Sequence, residues 1–432
     1  MKYDHFKMSI AILLIGSIIT KIGSLIIKIL FTRIIGETGL SYYTMITPAA
    51  NLFITLSTLS IPLTLSKIIG ENKYPHREIL ISTAITLIAI QIILSITYFL
   101  FIPFLASNLL HNQKLSIILY CLVLTLPFLS ISAILKGYYL GRQKVIPNII
   151  SNIIEQTIRI LFLIFILPLL TSINIWLALT SYILLSIVTE LASIIVFSIF
   201  MPPHKKIKKN ELIINKSIFK EVLSMSIPIT SSHIIGSIAF FLEPIIITNI
   251  LLHKEFTITY ISSEYAIYNA YVIPMLTLPA FFINAMCQIF IPEISQNNKN
   301  NNYHTLKKRI KEAIIYSFFI GLCYLLILTF QKEFLLKLLY NTEKGLPYLN
   351  ILIPFFLLFY LEYPLHSIIE ALGHPKKIFY ISLIGIIVKI IVLIILLLKK
   401  IGMYALVYAE IANIILVVFL LSFHLAHLYR SF

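Results

Sequence analysis

The sequence predicts an all-α protein built into a lipid bilayer, a polytopic chain of about 12 transmembrane helices in two six-helix lobes. Three observations predict it. Of 432 residues, 59% are apolar and only 12% charged, against about 45–50% and about 25% in soluble domains, so too little charge is present to cover a water-facing surface. The apolar residues gather into runs long enough to cross a hydrocarbon core, which takes roughly 20 residues per helix. The 34 lysines and arginines crowd into alternate connections between those runs, the pattern of a chain with a fixed orientation in a membrane.

The runs fall at about 8–32, 41–69, 79–105, 115–135, 146–170, 173–199, 222–250, 266–291, 312–331, 347–372, 378–398 and 403–427. The first follows a basic start, yet it is long and no small-residue cleavage site ends it, so it is expected to stay as a helix rather than leave as a signal peptide. With the N-terminus in the cytoplasm, KGYYLGRQK, HKKIKKNELIINKSIFKE, NNKNNNYHTLKKRIK and GHPKK become cytoplasmic connections. The cytoplasmic connections and both termini then hold 21 basic residues, the opposite side 8 and the spans 5. This bias predicts a multi-pass protein with both termini inside, and it accounts for the formal charge of +16 without a nucleic-acid partner. Cys121, Cys287 and Cys323 sit in apolar runs at no metal-ligand spacing, as packing residues do.

The basic connection 201–221 divides the chain into an N-terminal lobe, 1–200, and a C-terminal lobe, 222–432. The halves echo one another weakly. Ser66 in PLTLSK and Ser295 in PEISQ are 229 positions apart, and Gly141 and Gly373 are 232 apart. Six helices per unit restore the same orientation, which implies parallel repeats about an axis along the membrane normal, one plan used by transporters.

Polar residues inside the spans are where function is expected. A charge at mid-bilayer costs on the order of 2.5–3.5 kcal/mol on insertion scales and usually faces a bundle interior or a wet cavity. In the first span Ser17, Lys21, Ser24 and Lys28 recur along one helical stripe, a cationic lining. Snorkelling to an interface is the competing account, and it suits Lys28 or Arg33 better than Lys21. In the fifth span Asn148, Asn152, Glu155 and Arg159 repeat the same spacing, and Glu155 and Arg159 are placed to pair. Thr44, Asn51, Thr55 and Thr58 share a face of the second span, which also carries Pro48 and Pro62; ordinary kinked membrane helices use the same residues.

The second half reverses the sign. Glu243, Glu362, Glu370 and Glu410 outnumber Lys389. A buried carboxylate that changes protonation or binds Na⁺ would couple an ion gradient to transport, and Glu243, deep in a span just before Pro244, leads the coupling candidates Glu243, Glu362, Glu370 and Lys389. The alternative is a neutral, hydrogen-bonded carboxyl. Glu190 in the sixth span is open to either account. The histidines are scattered, and no zinc-protease, phosphate-loop or Ser–His–Asp constellation appears. The sequence therefore predicts no enzyme, no metal site and no ATP-driven pump.

Three stretches carry a family resemblance: SIITKIGSLIIKILFTRIIGETGLSYYTMITPAANLFITLSTLSIPLTLSKIIGE (17–71), ILKGYYLGRQKVIPNIISNIIEQTIRI (134–160), and FLEPIIITNIL (241–251) with PEISQ. The chain resembles the stage V sporulation protein B group of polysaccharide-biosynthesis transporters. That group belongs to the multidrug/oligosaccharidyl-lipid/polysaccharide exporter superfamily, with the lipid II flippases and the multidrug extrusion antiporters. The resemblance implies two lobes around a cavity that opens alternately to either side and moves a lipid-linked saccharide. By motif position Lys21 matches one of the basic residues of the lipid II flippases proposed to meet the diphosphate, Lys28 falls within a residue of another, and Arg33 matches the arginine that precedes the glycine-containing loop at Gly36. Two departures affect the substrate: YNAYVIPMLTLP (268–279) lacks the flippases' eighth-helix arginine, and the sequence stops after a twelfth helix where many relatives continue with two more.

The expectation is a bacterial plasma-membrane flippase for an undecaprenyl-diphosphate-linked saccharide, serving cell-wall peptidoglycan, sporulation or surface-polysaccharide assembly. Its cavity residues are expected to be Lys21, Ser24, Lys28, Arg33, Asn51, Asn152, Glu155 and Arg159. Its partners would be that substrate and membrane lipids, with the chain acting as a monomer. No cofactor is implied beyond a coupling Na⁺ or H⁺. A cation-coupled multidrug antiporter of the same fold is the rival, for which the lysines of the first span would be an obstacle. A membrane glycosyl or acyl transferase would need a catalytic residue in a substantial loop, and the loops here are short.

Overall fold

In lipid the backbone must satisfy its own hydrogen bonds, which leaves helices and closed barrels as spanning structures. The computed structural model describes residues 2–71, 73–201 and 216–430, and among them no strand occurs. The longest helix, Lys2–Thr58, is broken at Gly36 into α1 (2–35) and α2 (37–58), and α2 resumes as Ile61–Gly70. There follow α3 (His76–Phe104), α4 (Leu115–Gly141), α5 (Ile146–Leu161, continued to Ile173), α6 (Ile175–Phe200) and α7 (Lys216–His253). Next come α8 (Ile258–Leu276, then Ala280–Lys299), α9 (Tyr303–Tyr340), α10 (Leu346–Ala371), α11 (Pro375–Leu398) and α12 (Tyr404–Arg430).

Among the described residues ten helices are long and apolar enough to span a membrane, eleven with the bent α8 pair counted as one. Dividing the segment 19–70 at Gly36 brings this to the twelve spans expected. Gly36 adopts φ 69°, ψ 174°, a region essentially reserved for glycine. Space is not the constraint, since a Cβ there would meet nothing within 4 Å.

Two connections differ from the sequence reading. The fourth span was expected to end near 135, with KGYYLGRQK as a loop, but α4 runs to Gly141. The reason is packing. Gly137 and Gly141 form a small-xxx-small seam of the kind that lets membrane helices approach closely. A Cβ on Gly137 would lie 2.9 Å from Pro62 Cα, and one on Gly141 2.9 Å from the Ser66 carbonyl. Likewise α9 starts at Tyr303 rather than 312, so the basic HTLKKRIK stretch is helical.

Two compact units form, Met1–Ile245 and Ile246–Phe432. Their division falls inside α7; of the connection 201–221 used to divide the sequence, residues 202–215 lie outside the described residues. The first unit is centred on Ile61, Leu65, Ile68 and Ile69 of α2, packed against Ile134, Tyr138 and Tyr139 of α4 and Phe197 of α6. Tyr139 stacks on Phe197 and donates a 2.7 Å hydrogen bond to its carbonyl. The second unit has its own core, in which Leu365, Ile368 and Ile369 of α10 meet Leu306 and Ile310 of α9 and Val417 and Leu421 of α12.

Each unit breaks its second helix and satisfies a carbonyl at the break with a hydroxyl from its fourth. In α2 the break is at Leu59 and Ser60, both at positive φ, and the Ser57 carbonyl accepts from Ser130 Oγ at 3.1 Å. In α8 the break is at 277–279, where the Leu276 carbonyl accepts from Tyr360 at 2.6 Å and Met275 from Tyr324 at 2.6 Å. Ser130 and Tyr360 are 230 positions apart, the offset the sequence landmarks suggested.

Candidate functional site

A cavity of about 460 Å³ opens in the first unit between α1, the second segment of α2, α4 and α5, lined by Lys21, Ser24, Pro62, Lys136, Asn148 and Asn152 among others. Its walls are fixed by cross-helix hydrogen bonds. Gln156 of α5 donates to the Thr20 carbonyl at 2.6 Å and to Ser24 Oγ at 3.2 Å. The absence of a side chain at Gly23 makes room for this reach, because a Cβ there would overlap Gln156 Oε1. Lys21 and Ser24 are exposed and Asn152 is half-buried. Asn148 is nearly buried, and its Oδ1 has no hydrogen-bond partner.

Lys136 is the residue that sequence reasoning missed. Assigned to a loop, it lies inside α4 and reaches a polar cluster behind the cavity wall. Its Nζ is 3.0 Å from Glu155 Oε1 and 3.9 Å from Glu190 Oε2. Glu155 also accepts from Ser193 Oγ at 2.8 Å, and Ser151 Oγ lies within hydrogen-bonding reach of both Ser193 Oγ and Glu155 Oε1. The glycine pair one residue after Lys136, at helical spacing, was the available signal that the helix continues.

The structure divides the other expected site residues. The pairing expected between Glu155 and Arg159 is not made: Glu155 pairs with Lys136, and Arg159 donates to Thr189 Oγ1 at 3.3 Å. Arg159 lines a separate cavity of about 260 Å³ in the same unit, with Asn51, Tyr43, Thr47 and Tyr182. Lys28 continues the stripe of α1 beyond the first cavity, whereas Arg33 lies off that face; both are exposed, and no ion pair of Lys28 is found among the described residues. The side chain of Ser17 lies outside the described residues.

Glu243 is buried, 5% exposed, within α7. Glu362 faces His366 one turn along α10, with 3.3 Å between Oε1 and Nε2. Lys389 of α11, taken as lone in the sequence, pairs with Glu410 of α12 at 2.8 Å. Glu370 is exposed in the last turn of α10, at a helix end rather than mid-span. Arg159 and Lys389 are 230 positions apart, and each bonds from the fifth helix of its half to the sixth.

Outside the spans, Lys73 lies 2.8 Å from Glu71 and 3.1 Å from Glu221 at the start of α7. The hydrogen bond from Lys73 holds the Glu71 carboxyl below its ordinary value, and the bonds to Glu71 and Glu221 lift the Lys73 ammonium above its own. No group of three His, Cys, Asp or Glu placed to hold a metal occurs among the described residues.

Chemically, the α1/α4/α5 cavity offers two ammonium groups, hydroxyl and amide donors, and apolar surroundings, which together suit an anionic headgroup carrying several oxygen acceptors. Comparison with known proteins agrees with the fold. Over 399 residues the chain is 25% identical to stage V sporulation protein B of Bacillus subtilis (strain 168), covering 90% of this chain and 77% of that one. Two solved structures share the fold. The lipid II flippase MurJ in its inward closed conformation superposes with a TM-score of 0.71 at 18% identity, covering 96% of this chain and 87% of that chain. An inward-facing multidrug resistance MATE family transporter of the MOP superfamily gives 0.75 at 13% identity, covering 94% and 93%. The MatE family profile matches residues 270–395. The polysaccharide biosynthesis protein family profile matches residues 6–298, most of the chain, and the protein belongs to that family.

Proposed function

We propose that this membrane protein is an alternating-access flippase for an undecaprenyl-diphosphate-linked saccharide, a precursor of peptidoglycan or of a surface polysaccharide, in a bacterial plasma membrane. The observation that carries the reading is the cavity in which Lys21 and Lys136 stand among apolar helices. A diphosphate entering that cavity would meet both ammonium groups, and charged donors of this kind bind phosphate oxygens strongly. Lys28 extends the positive stripe along α1, and Arg33 adds positive charge near the break at Gly36. Family membership and the likeness to stage V sporulation protein B support a polysaccharide-linked substrate. Both termini face the cytoplasm on the distribution of basic residues.

The test is mass spectrometry of lipids co-purified with the full chain in mild detergent. An isoprenoid diphosphate sugar is expected; its absence, with only phospholipids recovered, overturns the reading. In a strain dependent on this protein, Lys21→Gln with Lys28→Gln should reduce export of the lipid-linked precursor at unchanged protein level.

A second reading, a cation-coupled antiporter, is favoured by the MatE match at 270–395 and by the carboxylates Glu362 and Glu410 within helices of the second unit. Either transporter could draw on an ion gradient through Glu243, Glu362, Glu370 or the Lys389–Glu410 pair. Glu243→Gln should lower the ion dependence of transport, and an unchanged dependence removes Glu243.

A further inference from the structure

We propose that Lys136 is a second substrate-facing cation of the α1/α4/α5 cavity and that it binds by exchanging counterions, leaving Glu155 for the phosphate of the entering headgroup. The inference rests on the flippase reading and specifies how that site takes and releases an anion.

Lys136 stands between two environments. Its side chain is 27% exposed at the cavity wall, while those of Glu155 and Glu190 behind it are 12% and 3% exposed. Its ammonium is neutralised from behind, by Glu155 at 3.0 Å with Glu190 at 3.9 Å. Removing a buried partner without replacement is strongly unfavourable, whereas exchanging one anion for another keeps the charge compensated. A phosphate entering beside Lys21 offers that replacement.

The carboxylate left behind does not become an orphan. Glu155 keeps its 2.8 Å bond from Ser193, which ties it to α6 independently of Lys136. Arg159, bonded to Thr189 next to Glu190, supplies the remaining positive charge of that cluster. Glu190 Oε2 accepts no hydrogen bond in the resting arrangement and offers Lys136 a second seat when the headgroup leaves.

Two consequences follow for selectivity. A neutral lipid alcohol cannot displace Glu155, and a cationic drug is repelled by both lysines. Only a polyanion with acceptors for two ammonium groups bridges Lys21 on α1 and Lys136 on α4. Because a resting ion pair is given up on binding, affinity is held down and release remains possible, as turnover requires.

The experiment measures binding of farnesyl diphosphate, with farnesol as the uncharged control, to the full chain purified in mild detergent. Lys136→Gln should weaken farnesyl diphosphate tenfold or more. Glu155→Gln, which removes the competing carboxylate and keeps an acceptor for the serines, should tighten it several-fold. Lys136→Arg should restore part of the loss, and farnesol binding should not change. The double variant Lys136→Gln with Glu155→Gln, a neutral pair, should bind as weakly as Lys136→Gln alone, which keeps the test open if the single lysine variant does not fold. Equal weakening in Lys136→Gln and Glu155→Gln would mean a structural ion pair and overturn the exchange, as would wild-type binding in Lys136→Gln. If the wild type binds farnesyl diphosphate no better than farnesol, the flippase reading itself fails, a result distinct from a reversed sign in Glu155→Gln.

Discussion

Replacing glycine by alanine at two helical positions of the first unit should change stability in opposite directions. At Gly137 the new Cβ would lie 2.9 Å from Pro62 Cα, 3.0 Å from the Pro62 carbonyl and 3.0 Å from Leu65 Cβ. Two of these neighbours are backbone atoms that no rotamer change can move, so α4 has to back away from α2 by a few tenths of an ångström. Overpacking of this kind costs about 1–3 kcal/mol, against a gain of about 0.5–1 kcal/mol from removing glycine within a helix. The net expectation for Gly137→Ala is a loss of roughly 1–2 kcal/mol. At Gly236 in α7 a Cβ meets nothing within 4 Å, so only the gain of about 0.5–1 kcal/mol remains. Thermal unfolding of both variants in one mild detergent measures the difference. Because Lys136 adjoins the seam, Gly137→Ala should also weaken binding of farnesyl diphosphate. Two variants with equal or higher melting midpoints than the wild type would refute the packing argument for where α4 ends.

Gly36→Ala should destabilise by about 1–3 kcal/mol from backbone strain alone, since the site has room for the methyl group; chemical denaturation in detergent checks it. Lys389→Met with Glu410→Leu should cost less stability than either single change, because each single variant leaves one charge of the 2.8 Å pair uncompensated; a double-mutant cycle on melting midpoints decides it. The Glu71–Lys73–Glu221 tie should be pH-sensitive with a defined sign. Glu71 is held below its ordinary value in the fold, so its contribution is present at neutral pH and is lost as pH falls through that lowered value. Lys73 is lifted, so its contribution persists through neutral pH and is lost only in strongly basic solution. Amide hydrogen exchange at residues 73 and 74, expressed as protection relative to the intrinsic rate at each pH, should show less protection at pH 3 than at pH 7, and equal protection would remove the tie.

Twelve spans were legible because lipid imposes one rule on every crossing segment, and sustained hydropathy reports it residue by residue. The ends were less so. Hydropathy stops where charge begins, whereas α4 continues past Lys136 because Gly137 and Gly141 pack on Pro62 and Ser66. A reading keyed to charge therefore placed in solvent the lysine that pairs with Glu155 and Glu190. Stripes along a single helix were also legible: Lys21, Ser24 and Asn152 do line one cavity. Which helix answers a stripe was not. Glu155 and Arg159 share a face of α5 but are engaged by different partners, Lys136 of α4 and Thr189 of α6, and one-dimensional spacing carries no information about that choice.

The same limit explains why the two halves looked opposite in sign. Counted within spans, the first half seemed basic and the second acidic, yet the structure compensates charge locally in both. Lys136 sits with Glu155 and Glu190, and Lys389 with Glu410. Lys136 lines a cavity while its carboxylates lie behind it, so an anion approaching from the cavity meets the ammonium first. The side of the pair that faces the open space, rather than net charge per half, is the property that favours an anionic substrate over a cationic drug. Exchanging the two residues by Lys136→Glu with Glu155→Lys would keep the charge count and invert that order, and it should abolish binding of farnesyl diphosphate while leaving the melting midpoint close to that of the wild type.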